Sequence, residues 1–274
     1  MPEAMRTLVH LSDLHFGRTD PKLIEPLIAT VQSLAPHVVV VSGDLTQRAR
    51  AAQFKEARAF LDRLPKPQVV VPGNHDVPLY RIWERFLSPL GKYRRLVSQE
   101  LEPSFGDAEI AVIGINTARS LTFKDGRINE EQMAAIHRRF DPLPEAVTKI
   151  VVTHHPFDLP DQTGDVDLVG RAREAMEVFS RCGVDLLLSG HFHVSEAGDT
   201  SGRHPIAGYS ALAVQAGTAT STRGRGEENS FNVLRVASDA IAVERMTWDA
   251  TALAFRHATT ERFMRDGARW TECK

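Results

Sequence analysis

Val69-Val70-Val71-Pro72-Gly73-Asn74-His75-Asp76 is a short apolar run that stops in a cluster of polar groups. Consecutive valines read as a strand buried on both faces. The turn that follows places an amide oxygen, an imidazole and a carboxylate at the strand's end. The same design recurs on either side of it. The run at 7–12 ends in Asp13-Leu14-His15, and the run at 38–42 ends in Gly43-Asp44. Further on, 149–153 ends in His154-His155-Pro156, and 185–189 ends in Gly190-His191-Phe192-His193. A packed core has no use for so many metal-type ligands at strand ends, whereas a pair of metal ions does.

Between these strands lie helical patterns. Asp20-Pro21 reads as an N-cap with proline in the first turn of a helix that runs to about Ala35. Phe54, Ala57, Leu61 and Leu64 share one face of a second helix. Asn129 with Gln132 opens another, which ends near Phe140, and Gly183 closes a fourth. Apolar strands alternating with helices give an α/β chain with a sheet covered on both faces. Strands are also expected at 109–115, 212–215, 231–236, 241–248 and 255–263. The whole chain, 1–274, reads as a single domain with a strand-rich C-terminal segment around 231–263. A helical cap-like insertion falls around 78–97; its Trp83, Phe86 and Leu87 alternate with Arg81, Arg85, Arg94 and Arg95. The pattern suggests an amphipathic stretch with a solvated basic face or, as the sharper alternative, a substrate clamp. The polar, glycine-rich stretch 217–230 reads as a mobile loop, its Arg223 and Arg225 being solvated charges or, as the sharper alternative, phosphate contacts.

Composition limits the partners. The formal net charge is −2 and the pI is about 6.6, which disfavours a nucleic-acid polymer as ligand. No apolar run suffices for membrane insertion. The start of the chain lacks a signal-peptide pattern. Cys182 and Cys273 are far apart and form no CxxC pair, so a reducing, cytoplasmic setting is expected. Strands near the C-terminus could pair across a homodimer.

Ligand chemistry follows from the residue types. Alternate residues of an extended strand point the same way, so Asp13 and His15 converge if the backbone stays extended past Ser12, and His191 and His193 do likewise. Gly43, Gly73 and Gly190 permit sharp turns close to a ligand. The donor set is oxygen and nitrogen without thiolate, suited to Fe, Mn or Zn. Two such ions about 3.5–4 Å apart, bridged by a carboxylate, activate a water for in-line attack on phosphorus and hold the phosphoryl oxygens. One of His154 and His155 is expected to stand behind the other rather than bind metal.

The order D-x-H, G-D, G-N-H-D, H and G-H-x-H, spanning Asp13 to His193, resembles the calcineurin-like metallophosphoesterases. The opening His10-Leu-Ser-Asp-Leu-His-Phe16 and the Gly-Asn-His-Asp form are most similar to the bacterial class III cyclic-nucleotide phosphodiesterase branch. The resemblance implies a four-layer α/β/β/α sandwich of two mixed sheets flanked by helices. It implies two divalent or trivalent metal ions: Asp13, His15 and His193 on the first, Asn74, His154 and His191 on the second, and Asp44 bridging both. A metal-bridging hydroxide would attack, and His75 would protonate the leaving group as general acid. His155 would contact phosphate or support the ligands. Gln47 stands where several members of this branch carry an acid that orients the catalytic histidine. Asp76 is then left either to take that part or to fix the loop. Arg119, after Ile115-Asn-Thr-Ala118, is the nearest candidate for substrate contact and equally fits a surface residue.

The expected substrate is a small soluble phosphodiester, with 3′,5′-cyclic nucleotides among the candidates. A phosphomonoesterase, or a nucleotide or lipid pyrophosphatase, would use the same site. A non-catalytic metal-binding scaffold is the alternative from another class.

Overall fold

Along Val38–Ser42, Val39 and Val41 face one core while Val38 and Val40 face another, and all are buried. This is the physical meaning of the unbroken apolar run: both faces of the strand are covered. The computed structural model describes residues 5–120, 125–159, 168–223 and 226–273. Its strands are β1 (Arg6–Leu11), β2 (Val38–Ser42), β3 (Gln68–Val71), β4 (Ser104–Gly106), β5 (Ile110–Gly114), β6 (Thr148–Val152), β7 (Leu186–Ser189), β8 (Glu196–Asp199), β9 (Leu212–Gln215), β10 (Ser230–Val236), β11 (Ala240–Asp249), β12 (Ala254–Asp266) and β13 (Arg269–Glu272). The α-helices are α1 (Pro21–Ser33), α2 (Ala51–Arg63), α3 (Ile82–Leu87), α4 (Gly91–Leu96), α5 (Glu130–Phe140) and α6 (Ala172–Cys182).

The strands form two mixed sheets, ordered β13-β12-β11-β10-β1-β2-β3 and β4-β5-β6-β7-β9-β8. Three apolar layers hold them. Leu23, Leu27, Ile28 and Val31 of α1, with Phe54, Ala57, Phe60 and Leu61 of α2, pack on the outer face of the first sheet. Leu8, Val38, Val40, Val69 and Val71 meet Ile110, Ile150, Val152, Leu186 and Leu188 between the sheets. Met133, Ile136 and Phe140 of α5, with Met176 and Phe179 of α6, cover the outer face of the second. The result is an α/β/β/α stack, and each fully buried Leu, Val, Ile or Phe contributes about 1.5–3 kcal/mol.

Local signals account for the helix ends. Asp20 accepts a hydrogen bond from the Lys22 backbone N at 3.0 Å. Asn129 and Gln132 form a reciprocal capping box, at 2.8 and 3.0 Å. Gly183 ends α6 in the left-handed region at φ 67°.

Within the first sheet β1, β2 and β3 are parallel, and within the second β5, β6, β7 and β9 are parallel. The loops after β1, β2, β3, β6 and β7 carry the polar clusters, as open α/β sheets place their sites. Strands β4, β8 and β13 have no counterpart in the sequence reading. They have three or four residues each, and β4 and β8 contain glycine, so no apolar period marks them.

The insertion at 78–97 departs from the expected amphipathic pattern. Arg85 of α3 is buried, its guanidinium donating to Ser120 O at 2.7 Å and Pro78 O at 3.1 Å. Trp83, Phe86 and Leu87 face solvent instead. Arg85, with these loop carbonyls among its partners, lies on the buried side of α3, and the apolar residues lie on the outer side.

Candidate metal centre

Asp13, His15, Asp44, His154 and His193 are all buried, and with Asn74 and His191 they meet where the two sheets' parallel strands end. The backbone is stitched across this junction. Asp13 N donates to Gly43 O at 3.3 Å, His15 N to Asp44 O at 2.9 Å, and Gly190 N to His154 O at 3.1 Å.

The convergence of Asp13 with His15, and of His191 with His193, is not that of an extended strand. Asp13 and His15 lie at φ 51° and 48°, and His191 and His193 at 81° and 63°; Asp44 is at 51°. Each pair is aimed by left-handed backbone on either side of one intervening residue. Asp and His tolerate this region better than most residues, yet such conformations cost of order 1–3 kcal/mol each and persist only where the surroundings impose them.

The imposing surroundings include glycines and a pinned loop. Gly43 has φ 91°, and a Cβ there would lie 2.7 Å from Cγ and Nδ1 of His154. At Gly190 a Cβ would lie 1.8 Å from Ser12 Oγ. Thr218 and Thr220 donate to Asp13 O and Leu14 O at 2.8 and 2.7 Å, so the front of the 217–230 stretch is strapped across the Asp13 turn and buried. That corrects the reading of the stretch as a mobile loop; Arg225 lies outside the described residues. Replacing Gly43 with Ala should destabilise the fold by more than about 1 kcal/mol, because φ is positive and His154 blocks the space. Thermal denaturation of the variant checks this; an unchanged midpoint would contradict it.

Two sets of donor atoms result. In the first, Asp13 Oδ1 lies 3.1 Å from His193 Nε2 and 3.5 Å from His15 Nε2, and the two imidazole nitrogens are 3.1 Å apart. In the second, His154 Nε2 lies 3.0 Å from Asn74 Oδ1 and 3.3 Å from His191 Nδ1. Asp44 joins them: Oδ2 is 3.7 Å from His15 Nε2, and Oδ1 is 3.4 Å from His154 Nε2.

The tautomers test whether these sets suit cations. His154 Nδ1 faces Ser42 O at 2.8 Å and His193 Nδ1 faces Arg223 O at 3.2 Å; a carbonyl only accepts, so each Nδ1 carries the proton. In the neutral rings Nε2 is then a lone pair turned inward, toward other acceptors. Asp13 Oδ1 and His15 Nδ1 are buried without a hydrogen-bond partner. Acceptors facing acceptors at about 3 Å repel unless positive charge sits between them, so the nitrogen and oxygen donors fit a metal pair.

The protonation energetics agree. Burial opposes charge on His154, but Asp44 and Asp13 outweigh it and pull its pKa up to about 9. Burial likewise opposes charge on His193, and Asp13 overcomes it. His191 is pushed down to about 3 by burial and by His154. Asp13 and Asp44 are held below the usual carboxylate range: burial resists, while His193 acts on Asp13 and His154 on Asp44.

The supporting residues divide clearly. Asp76 receives Thr46 N and Oγ1 on one oxygen and Leu45 N and Gly73 N on the other, at 2.9–3.1 Å. It ties the Asp44 loop to the Asn74 turn and is committed there; burial and Asp44 raise its pKa to about 6. His155 is buried beside His191, with Nδ1 2.8 Å from Thr117 Oγ1. His75 Nδ1 is 2.9 Å from the backbone O of Gln47 and 3.4 Å from the Gln47 side chain, so the main chain orients the ring. Its Nε2 meets Arg223 Nη1 at 3.2 Å. Burial lowers its pKa and Asp44 opposes that; His15 and Arg223 lower it further.

Arg119 is elsewhere. Its guanidinium donates to Asn116 O, Ala118 O and Gln132 Oε1, at 2.7–3.1 Å, against the start of α5. The cavity above the donor sets, about 240 Å³, is lined by Gln47, Arg48, Asn74, His75, Val77, Leu79 and Arg223. Arg48 was missed by sequence reasoning. Its signal was position: a cation four residues after Asp44, on the same loop.

Comparison with known proteins places this geometry. The family described as Calcineurin-like phosphoesterase matches residues 6–195, most of the chain. The 3′,5′-cyclic adenosine monophosphate phosphodiesterase CpdA of Escherichia coli strain K12 is 24% identical over 220 residues, covering 75% of this chain and 76% of CpdA. The glycerophosphodiester phosphodiesterase GpdQ of Enterobacter lignolyticus is 24% identical over 163 residues, covering 56% of this chain and only 58% of GpdQ. Among solved structures, a purple acid phosphatase from yellow lupin (Lupinus luteus) seeds superposes with a TM-score of 0.71 at 13% identity, over 96% of this chain and 54% of that one, and so shares its fold. With its motifs inside the matched span and its sheets stacked in the same way, this chain belongs to the calcineurin-like phosphoesterase family.

Proposed function

We propose that this protein hydrolyses phosphodiester bonds in a small soluble substrate, with 3′,5′-cyclic nucleotides and glycerophosphodiesters as the first classes to try. The observation that carries the reading is Asp44, whose two oxygens face separate donor sets beneath a cavity holding His75 and Arg223. Asp13, His15 and His193 would hold one ion, Asn74, His154 and His191 the other, and Asp44 both. The ions, Mn, Fe or Zn, would supply Lewis acidity, lowering the pKa of bound water and offsetting phosphoryl charge.

The remaining roles belong to side chains. Gln47 O fixes the His75 tautomer, so Nε2 is the atom presented to the cavity. Arg223 faces that nitrogen here. A phosphate oxygen is a stronger partner for a guanidinium than a neutral imidazole is. Arg223 would therefore turn to the substrate, leaving Nε2 free to hold and deliver a proton to the leaving oxygen. The added anion also favours the protonated ring. Asp76 keeps the Asp44 and Asn74 loops in register and takes no proton from His75. Arg48 lies over the Tyr80 ring, 5.6 Å from its centre. That leaves Arg223 as the guanidinium at the acid, which suits a monoanionic diester. The names of CpdA and GpdQ, both phosphodiesterases, point the same way.

The test is the rate of Mn-loaded protein on bis(p-nitrophenyl) phosphate beside p-nitrophenyl phosphate. A diester preference is expected; a monoester preference would overturn the substrate class and leave the metal site standing. Arg223→Ala should raise KM for the diester roughly tenfold, the size of one lost charge-assisted contact, with metal content unchanged. An unaltered KM would remove Arg223 from substrate binding.

A further inference from the structure

Eight large apolar side chains are exposed among the described residues, and five of them, Tyr80, Ile82, Trp83, Phe86 and Leu87, fall in one short stretch. Trp83 is 81% exposed, Leu87 79% and Tyr80 78%. The buried anchor of Arg85 holds this face outward. Such a contiguous apolar patch marks a contact surface.

Its flanks are basic. Arg48, Arg50, Arg81 and Lys92 line a concavity with Tyr80 on one side, and Arg94 lies with Leu87 on the other. Leaving out the buried Arg85, residues 78–97 hold Arg81, Lys92, Arg94 and Arg95 against the single acid Glu84, in a chain whose net charge is −2. Glu84 pairs with Arg81 and Lys92. A second copy of the chain would bring the same basic patch and be repelled. Aromatic and aliphatic side chains ringed by cations match the surface of an anionic lipid bilayer, where Trp and Tyr settle at headgroup level. Each Lys or Arg near such a surface tightens binding about fivefold.

We propose that residues 80–87, with the flanking Arg50, Arg81, Lys92 and Arg94, form a peripheral docking face for anionic lipid bilayers. No helix among the described residues is long and apolar enough to cross a membrane, so the association is one of surface contact. The face adjoins the reaction cavity through Leu79 and Arg48. Docking therefore sets the cavity beside the headgroups.

Sedimentation with vesicles tests this whatever the substrate proves to be. The protein should pellet with vesicles of equal parts phosphatidylcholine and phosphatidylglycerol, and far less with phosphatidylcholine alone. Trp83→Ser combined with Phe86→Ser should cut the partition coefficient roughly tenfold or more, from the lost apolar burial. Both residues are exposed, so folding and hydrolysis of bis(p-nitrophenyl) phosphate should be unchanged. Equal sedimentation with both vesicle types, or wild-type binding by the double variant, would overturn the proposal. So would self-association that the double variant abolishes in a protein that ignores vesicles, which would make the face a contact between copies.

Discussion

Asp44→Asn should leave a folded protein that no longer retains a full metal pair, with phosphodiester hydrolysis reduced by more than about 100-fold, beyond the 10–100-fold typical of residues that only support ligands. Asparagine keeps the size of the side chain and tolerates the left-handed backbone at φ 51°. It can still accept the hydrogen bond that His75 N gives Asp44 Oδ1 at 2.8 Å. What it removes is the charge. In the wild type that carboxylate stands between His15 on one oxygen and His154 on the other. It is also the strongest of the groups that together overcome burial and keep a positive charge at His154 favourable. Without it, each donor set loses its shared anion. Metal analysis after dialysis, alongside circular dichroism, checks the prediction. Wild-type metal content with wild-type turnover would mean that Asp44 bridges nothing.

His75→Ala should act differently, leaving metal content near that of the wild type while lowering turnover about 10²–10⁴-fold on substrates with alkoxide leaving groups. The ring is engaged away from the donor sets, at Gln47 O through Nδ1 and at Arg223 through Nε2. It also lies within ligand distance of His15 and Asp44, so retention of metal in the variant is what separates an acid from a ligand. A p-nitrophenolate leaves without much help from a proton, so loss on bis(p-nitrophenyl) phosphate should be much smaller. Equal losses on good and poor leaving groups would argue against the general-acid role.

The residues now proposed as ligands were legible because each lies within a few positions of a buried strand's end. Local pattern carries that information. The reason they converge was not legible. Extended geometry was the natural expectation for Asp13-Leu14-His15, but the chain turns left-handed at both ends of the motif, and the strap from Thr218 and Thr220 that holds it lies some two hundred residues away. The placement of the cations was hidden for the same reason. Arg119 follows a strand and looked well placed, yet the capping glutamine of α5 captures it. Arg223 looked like a loop charge until the fold set it against His75 across 148 positions of sequence. The α/β stack followed from strands apolar on both faces. The orientation of α3 did not, because the side that is buried carries Arg85, whose partners include the distant Ser120 O and lie outside any local apolar period.

The most direct test is to titrate metal-stripped protein with Mn while following hydrolysis of bis(p-nitrophenyl) phosphate. Activity should rise with added metal and level off at two ions per chain. A plateau at one ion, or hydrolysis that needs none, would contradict the two-metal account.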